Sequence, residues 1–237
     1  MDRATRKELK TDHFVERVVQ AVREITAHKQ DVARYSIAAV VVVVLIIAGV
    51  MYYRSQAATR RAAFDVLLRT MEAPIASPGQ PASSGSYATE ADKDKAVASA
   101  LEEFTKKHSG TNEEALARYF IASNAVTKGD LDKALTEVDL AIQSGNGDTA
   151  AVARFLKANV LVAKGNADEA EKIYRDLLNT SSGFVTKDEV TVALAKLIAK
   201  KSPDEAVKLL EPLRLAEGST QRIASQTIDE IRKSSSN

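Results

Sequence analysis

From Ile37 to Met51 the chain reads IAAVVVVVLIIAGVM without one charged residue, and Arg34 and Arg54 close the run on either side. Tyr35 and Ser36 extend it at one end, Tyr52 and Tyr53 at the other. A helix from Tyr35 to Tyr53, rising about 1.5 Å per residue, covers roughly 27 Å, close to the hydrocarbon thickness of a bilayer. Its Val, Ile and Leu side chains favour insertion by about 0.3–0.6 kcal/mol each, and the terminal tyrosines suit the headgroup region. The stretch 35–53 therefore predicts a single transmembrane helix in contact with lipid. A secretory leader is the competing reading, with Ser55-Gln56-Ala57 as a weak mimic of a cleavage site. Leaders carry a short basic region before the apolar core. Here 34 residues precede it, with Asp2, Glu8, Asp12, Glu16, Glu24 and Asp31 among them, so an uncleaved anchor is expected.

Charge and composition narrow the rest. Residues 1–87 carry 12 basic and 8 acidic side chains, residues 88–237 carry 21 and 24. Mixed signs without a basic face argue against nucleic-acid binding. The chain has no cysteine, which removes disulfides, thiolate metal sites, thiol nucleophiles and a lipoprotein anchor. With ten Gly and five Pro against abundant Ala, Leu, Glu and Lys, the chain reads as all-α.

Five segments follow. Residues 1–34 are a polar tail in which Phe14, Val18, Val22 and Ile25 keep helical spacing behind Thr11 as N-cap. This is either an amphipathic helix on the membrane surface or a weakly structured tail. Residues 35–53 are the span. Residues 54–72 are a juxtamembrane helix, with Ala57, Phe64, Leu67, Leu68 and Met71 at helical spacing. Residues 73–89 hold Pro74, Pro78 and Pro81 among Ser and Gly, a flexible loop. Residues 90–237 form a repeat domain closed by a capping helix from Ser219 that carries Ile223, Ile228 and Ile231.

The repeat is legible in register. KGDLDKALTEVDLAI from Lys128 aligns with KGNADEAEKIYRDLL from Lys164 and with KKSPDEAVKLLEPL from Lys200. Ala134, Ala170 and Ala206 are each 36 residues apart, and a fainter copy surrounds Ala98. Each unit is a helical hairpin: Ala115–Thr127, Ala151–Ala163 or Asp188–Ala199, then a turn, then a second helix. Gly129 and Gly165 permit a positive-φ stop. Asp130, Asn166 and Ser202 with Pro203 are expected to cap the second helices. A small residue lets paired helices approach, and stacked hairpins bury a core that none has alone.

These features resemble the tetratricopeptide repeat. Ala122 and Ala158 match the small position of the first helix, Ala134, Ala170 and Ala206 that of the second, and Gly129 and Gly165 the turn. Arg118 and Arg154 stand where the usual Trp would be, and the third copy has Leu194 at the small position. Taken whole, a MDRATRKELKTDHF tail, one span and a tetratricopeptide-like α-solenoid of helical hairpins are similar to the YfgM family of ancillary SecYEG translocon subunits. That resemblance implies a bacterial inner-membrane protein with its N-terminus cytoplasmic and its C-terminal domain periplasmic. It implies translocon subunits, periplasmic chaperones or exported chains as partners. Charge alone leaves the orientation open: Arg17, Arg23, Lys29 and Arg34 before the span equal Arg54, Arg60, Arg61 and Arg69 after it. A scaffold of cell division or outer-membrane assembly, or the same module facing the cytoplasm, fits the same architecture.

Catalytic chemistry is not expected, and neither is a cofactor, a metal site or a small-molecule substrate. His13 and His28 precede the span and His108 follows it. Gly145-Asn146-Gly147-Asp148-Thr149-Ala150 fits G-x-G-x-x-A, but a dinucleotide loop needs a preceding strand and here a helix precedes. The pairs Glu102-Glu103, Glu113-Glu114 and Asp188-Glu189 read as solvated helix faces and N-terminal charges. What remains is a protein-binding groove on the first helices: Leu116, Tyr119, Ser123, Val126 and Thr127, with Phe155, Asn159 and Val162 from the next repeat. The alternative is that Tyr119 and Phe155 simply pack between helices. A carboxylate clamp for peptide C-termini is not expected, because the matching places carry Tyr119, Leu156, Asp188 and Val192.

Overall fold

The computed structural model describes residues 16, 17, 19, 29–77, 85–180, 182–215 and 218–235. Of the helix proposed behind Thr11, the pattern residues Phe14, Val18, Val22 and Ile25 lie outside the described residues; residues 16, 17 and 19 are described and are helical. The described residues are helical apart from turns and one isolated bridge. The chain divides into two units, Met1–Thr59 and Arg60–Asn237.

Helix α1, Lys29–Glu72, contains the apolar run. Within Ala38–Glu72 it is long and apolar enough to cross a bilayer: its most apolar 18-residue window has mean hydropathy 2.1, and none of that window is buried. Val40 to Ile47 are each at least half exposed. A core helix of a globular domain would hide these side chains against neighbours.

In the second unit, the hairpins are already present at the end of α1. Ala63, Phe64, Leu67 and Met71 pack on Val97, Leu101 and Phe104 of α2 (Glu90–Lys107) and on Ala117 and Phe120 of α3 (Asn112–Thr127). The Phe64 and Phe104 rings sit 5.5 Å apart. The sequence pattern starts the repeats only at residue 90, because no turn signal or Ala register marks residues 60–72. Between α1 and α2, Ile75 bridges Tyr87, and two backbone bonds (Ala76 N–H to Tyr87 at 2.8 Å, Tyr87 N–H to Pro74 at 2.9 Å) join the ends of the Pro-rich connection.

Three further hairpins follow: α3 with α4 (Leu131–Ser144), α5 (Gly147–Ala163) with α6 (Ala167–Leu178), and α7 (Lys187–Ile198) with α8 (Pro203–Leu210). A short 3-10 turn, Glu211–Leu215, leads to α9, Ser219–Ser235. Ala122, Ala134, Ala158, Ala170 and Ala206 are fully buried, as close approach between helices demands. Leu194 occupies the corresponding place in α7 and is equally buried, so the third copy fills with a larger side chain the space that alanine leaves elsewhere. On α9, Ile228 and Ile231 are buried but Ile223 is 42 % exposed.

Turn chemistry follows the sequence in part. Gly129 and Gly165 take φ of 76° and 83°, which side chains other than glycine adopt at a cost. Asp130 accepts from Lys133 N–H at 3.0 Å. Asn166 and Ser202 stand at the N-cap positions without the expected side-chain bond; their backbone carbonyls accept the first helical bonds, from Ala170 and Ala206. Thr186 and Glu189 form a reciprocal capping box at α7.

Two ladders hold neighbouring repeats in register. Lys128 pairs with Asp94 (3.4 Å), Lys164 with Asp132, and Lys201 with Asp168 (3.6 Å), each from the end of one hairpin's first helix back to the preceding second helix or its counterpart. Asn112 accepts from Asn146 N–H at 3.0 Å, and Asp148, 36 positions on, accepts from Gly183 N–H at 2.6 Å. Exposed ion pairs contribute little energy; their recurrence marks the stacking register.

Candidate functional site

The eight residues expected to form a groove separate into two groups. On α3, Leu116, Tyr119 and Ser123 are half-buried, and the Tyr119 ring lies 5.8 Å from Phe120. Val126 packs on the cluster of Ala125, Ala134 and Val160, which makes it a core contact. Thr127 is exposed, and its hydroxyl donates to the Ser123 carbonyl at 3.1 Å.

On α5 the arrangement is different. Phe155, Asn159 and Val162 stand one turn apart and line two adjoining hollows of about 320 and 420 Å³. The first is lined by Phe155, Val192 and Ala193, by the adjacent carboxylates Asp188 and Glu189, and by Thr220 and Ile223. The second holds Asn159, Val162, Leu197 and Lys200. They meet at Ala193 and Lys196. The five α3 residues lie outside both. The Phe155 ring is 5.8 Å from the buried Tyr174, and Phe155 is also among the residues lining the hollow. Asn159 accepts a hydrogen bond from the Tyr174 hydroxyl at 2.6 Å, so α6 orients an amide on the hollow's wall. Burial pushes the Tyr174 hydroxyl up to about 12.

Val192, Lys196, Thr220 and Ile223 were not among the expected groove residues. Val192 and Lys196 follow Asp188 at steps of four, a signal present in the sequence. Thr220 and Ile223 come from α9, which lies outside the 36-residue period, so no repeat alignment points to them. Leu156, one of the clamp positions, packs inside with Val138 and Val160.

One carboxylate pair departs from a solvated face. Glu114 is 3 % exposed. It accepts from Gly110 N–H at 2.6 Å and from the Arg118 Nε, and Arg118 also donates to Glu137 on α4 at 2.8 Å. Burial opposes the charge on Arg118, but the bonds from Glu114 and Glu137 outweigh it and raise its pKa. Arg118 thus joins the two helices of its hairpin by ion pairs at the place where a Trp would do so by area. Arg154, its counterpart in the next repeat, is exposed. The G-x-G-x-x-A segment is the turn between α4 and α5: Gly145 follows α4, Asn146 precedes α5, and no strand adjoins it. Among the described residues no cluster of three or more His, Asp or Glu could hold a metal ion.

Stacked helical hairpins with small residues at fixed places, open hollows and ladders between repeats define a helical repeat protein. Residues 30–184 match the tetratricopeptide repeat-like domain, well over half of the sequence, and the chain belongs to that family. Domains of this kind are generally protein-interaction modules. No curated protein and no solved structure matches this chain.

Proposed function

We propose that the chain is a membrane-anchored scaffold for protein–protein contacts, an ancillary subunit of the protein-export translocon that links it to periplasmic chaperones or exported chains. The observation that carries the proposal is the union in one chain of a bare apolar helix and a tetratricopeptide-like repeat unit. An exposed row of Val and Ile favours lipid over water, and stacked hairpins offer area for another chain. Residues 35–53 contact the bilayer, the tail is cytoplasmic, and the repeats lie in the periplasm of a bacterial inner membrane. Binding, with no catalysis, takes place on the face that carries Phe155, Asn159 and Val162. The α3 residues Leu116, Tyr119, Ser123 and Thr127 would extend it.

Crosslinking in intact membranes, followed by detergent extraction and pull-down, tests the assignment. Recovery of translocon subunits or periplasmic chaperones is the expected result; recovery of neither removes it. Recovery of division or outer-membrane assembly proteins would assign the scaffold to that system instead. The equal count of Lys and Arg beside the span keeps the inverted topology as a second reading. A C-terminal alkaline phosphatase fusion, active only outside the cytoplasm, separates the two.

A further inference from the structure

The hollows on α5 and α7 carry an ordered set of charges. Asp188 begins the row, Val192 lies one turn on, Lys196 follows, and Lys200 sits just beyond the end of α7. Asp188, Lys196 and Lys200 enter no ion pair among the described residues, and Glu189, which also lines the first hollow, is engaged with Thr186 in the capping box. Beside Val192, Ile223 from α9 is 42 % exposed, so an apolar spot open to solvent lies between an unmatched anion and two unmatched cations.

Spacing turns this row into a ligand pattern. Four helical residues advance about 6 Å, and two residues of an extended chain advance about 6.6 Å. Alternate side chains of an extended segment share one face. A segment reading basic-x-apolar-x-acidic-x-acidic therefore sets its charged side chains opposite Asp188, Lys196 and Lys200, with its apolar residue over Val192 and Ile223. We propose that the α5–α7–α9 hollow docks an internal, extended segment of a partner protein with that pattern. The acidic groups are side chains of the segment. The hollow continues past Lys196 to Val162 and Lys200, which leaves room for the partner chain to run on. This inference rests on the scaffold reading.

The probe is the peptide Ser-Lys-Ser-Leu-Ser-Asp-Ser-Glu-Ser, capped at both ends, and its reversed sequence, each titrated by fluorescence anisotropy against the full chain in detergent micelles. One of the two should bind saturably, and Lys196→Glu with Lys200→Glu should weaken it about tenfold. The same double variant should prefer a probe with Lys in all three charged places, and that reversal of preference cannot arise from misfolding. Ile223→Asp should weaken both probes. Absence of saturable binding overturns the inference, as does equal binding by wild type and double variant. It is overturned too if only uncapped peptides bind, or if the hollow is filled by a second copy, seen as a dimer that the double variant dissociates. Partner crosslinks together with a silent probe would remove this inference alone; loss of all crosslinks would remove the scaffold reading even if the probe bound.

Discussion

The hydroxyl of Tyr174, on the second helix of its hairpin, donates to the side-chain oxygen of Asn159 on the first, 2.6 Å away. A buried ring thereby fixes the direction of an exposed amide. The two helices cannot slide by a turn without breaking this bond, so the hollow's wall and the hairpin's core share one constraint.

High pH should expose that constraint. In the unfolded chain the Tyr174 hydroxyl ionises near 10, and in the folded protein burial pushes it up to about 12. Its contribution to stability is fully present below about pH 10 and is lost as the pH rises towards 12. Chemical denaturation at stepped pH should show stability falling across that window. Tyr174→Phe should flatten the decline and cost about 1 kcal/mol at neutral pH. An unchanged slope in the variant would contradict the assignment.

The Glu114–Arg118–Glu137 network should be unequal in its parts. Arg118→Met leaves the carboxylate of Glu114 buried with only the Gly110 amide, and should destabilise the protein by about 3 kcal/mol. Glu137→Gln removes a more exposed partner and should cost about 0.5–1 kcal/mol. Thermal melts of the two variants, compared with Lys164→Met as an exposed-pair control, give the order.

Glycines in the turns are needed for different reasons, and alanine should separate them. At Gly129 an added Cβ meets nothing within 4 Å, so Gly129→Ala costs only the positive φ, about 1 kcal/mol. At Gly145 the backbone is ordinary, but a Cβ would stand 2.7 Å from the Ala141 carbonyl and 3.1 Å from Ala150 N. Gly145→Ala must shift α5 against α4 and should cost more, about 2 kcal/mol or above. Urea titrations that rank the two in reverse would refute this account.

The small position of the first helix should show opposite size preferences in successive repeats. Ala158→Leu overpacks a fully buried site and should cost about 1–3 kcal/mol or more. Leu194→Ala at the equivalent site should open a cavity and cost about 2–5 kcal/mol. Both are read from denaturation midpoints.

Much of this molecule is written locally. The uncharged run, the 36-residue spacing of Ala134, Ala170 and Ala206, and the turn glycines are local patterns, and each has a geometric reading: a helix long and apolar enough to cross a bilayer, close helix approach and positive φ. From them come the long apolar helix, the all-α class and the repeated hairpin. Tertiary packing decided the rest. Glu114 reads as a solvated carboxylate until Gly110 and Arg118 close over it. Val126 reads as a groove residue, yet α4 and α5 pack it partly against Ala134 and Val160. The hollow itself needs Ile223 of α9 beside Val192 of α7, residues of two helices that no common period relates. Periodicity reports which side of a helix is apolar. Which apolar side chain stays open to a partner depends on where the next helix stops, and that is settled only when the helices stack.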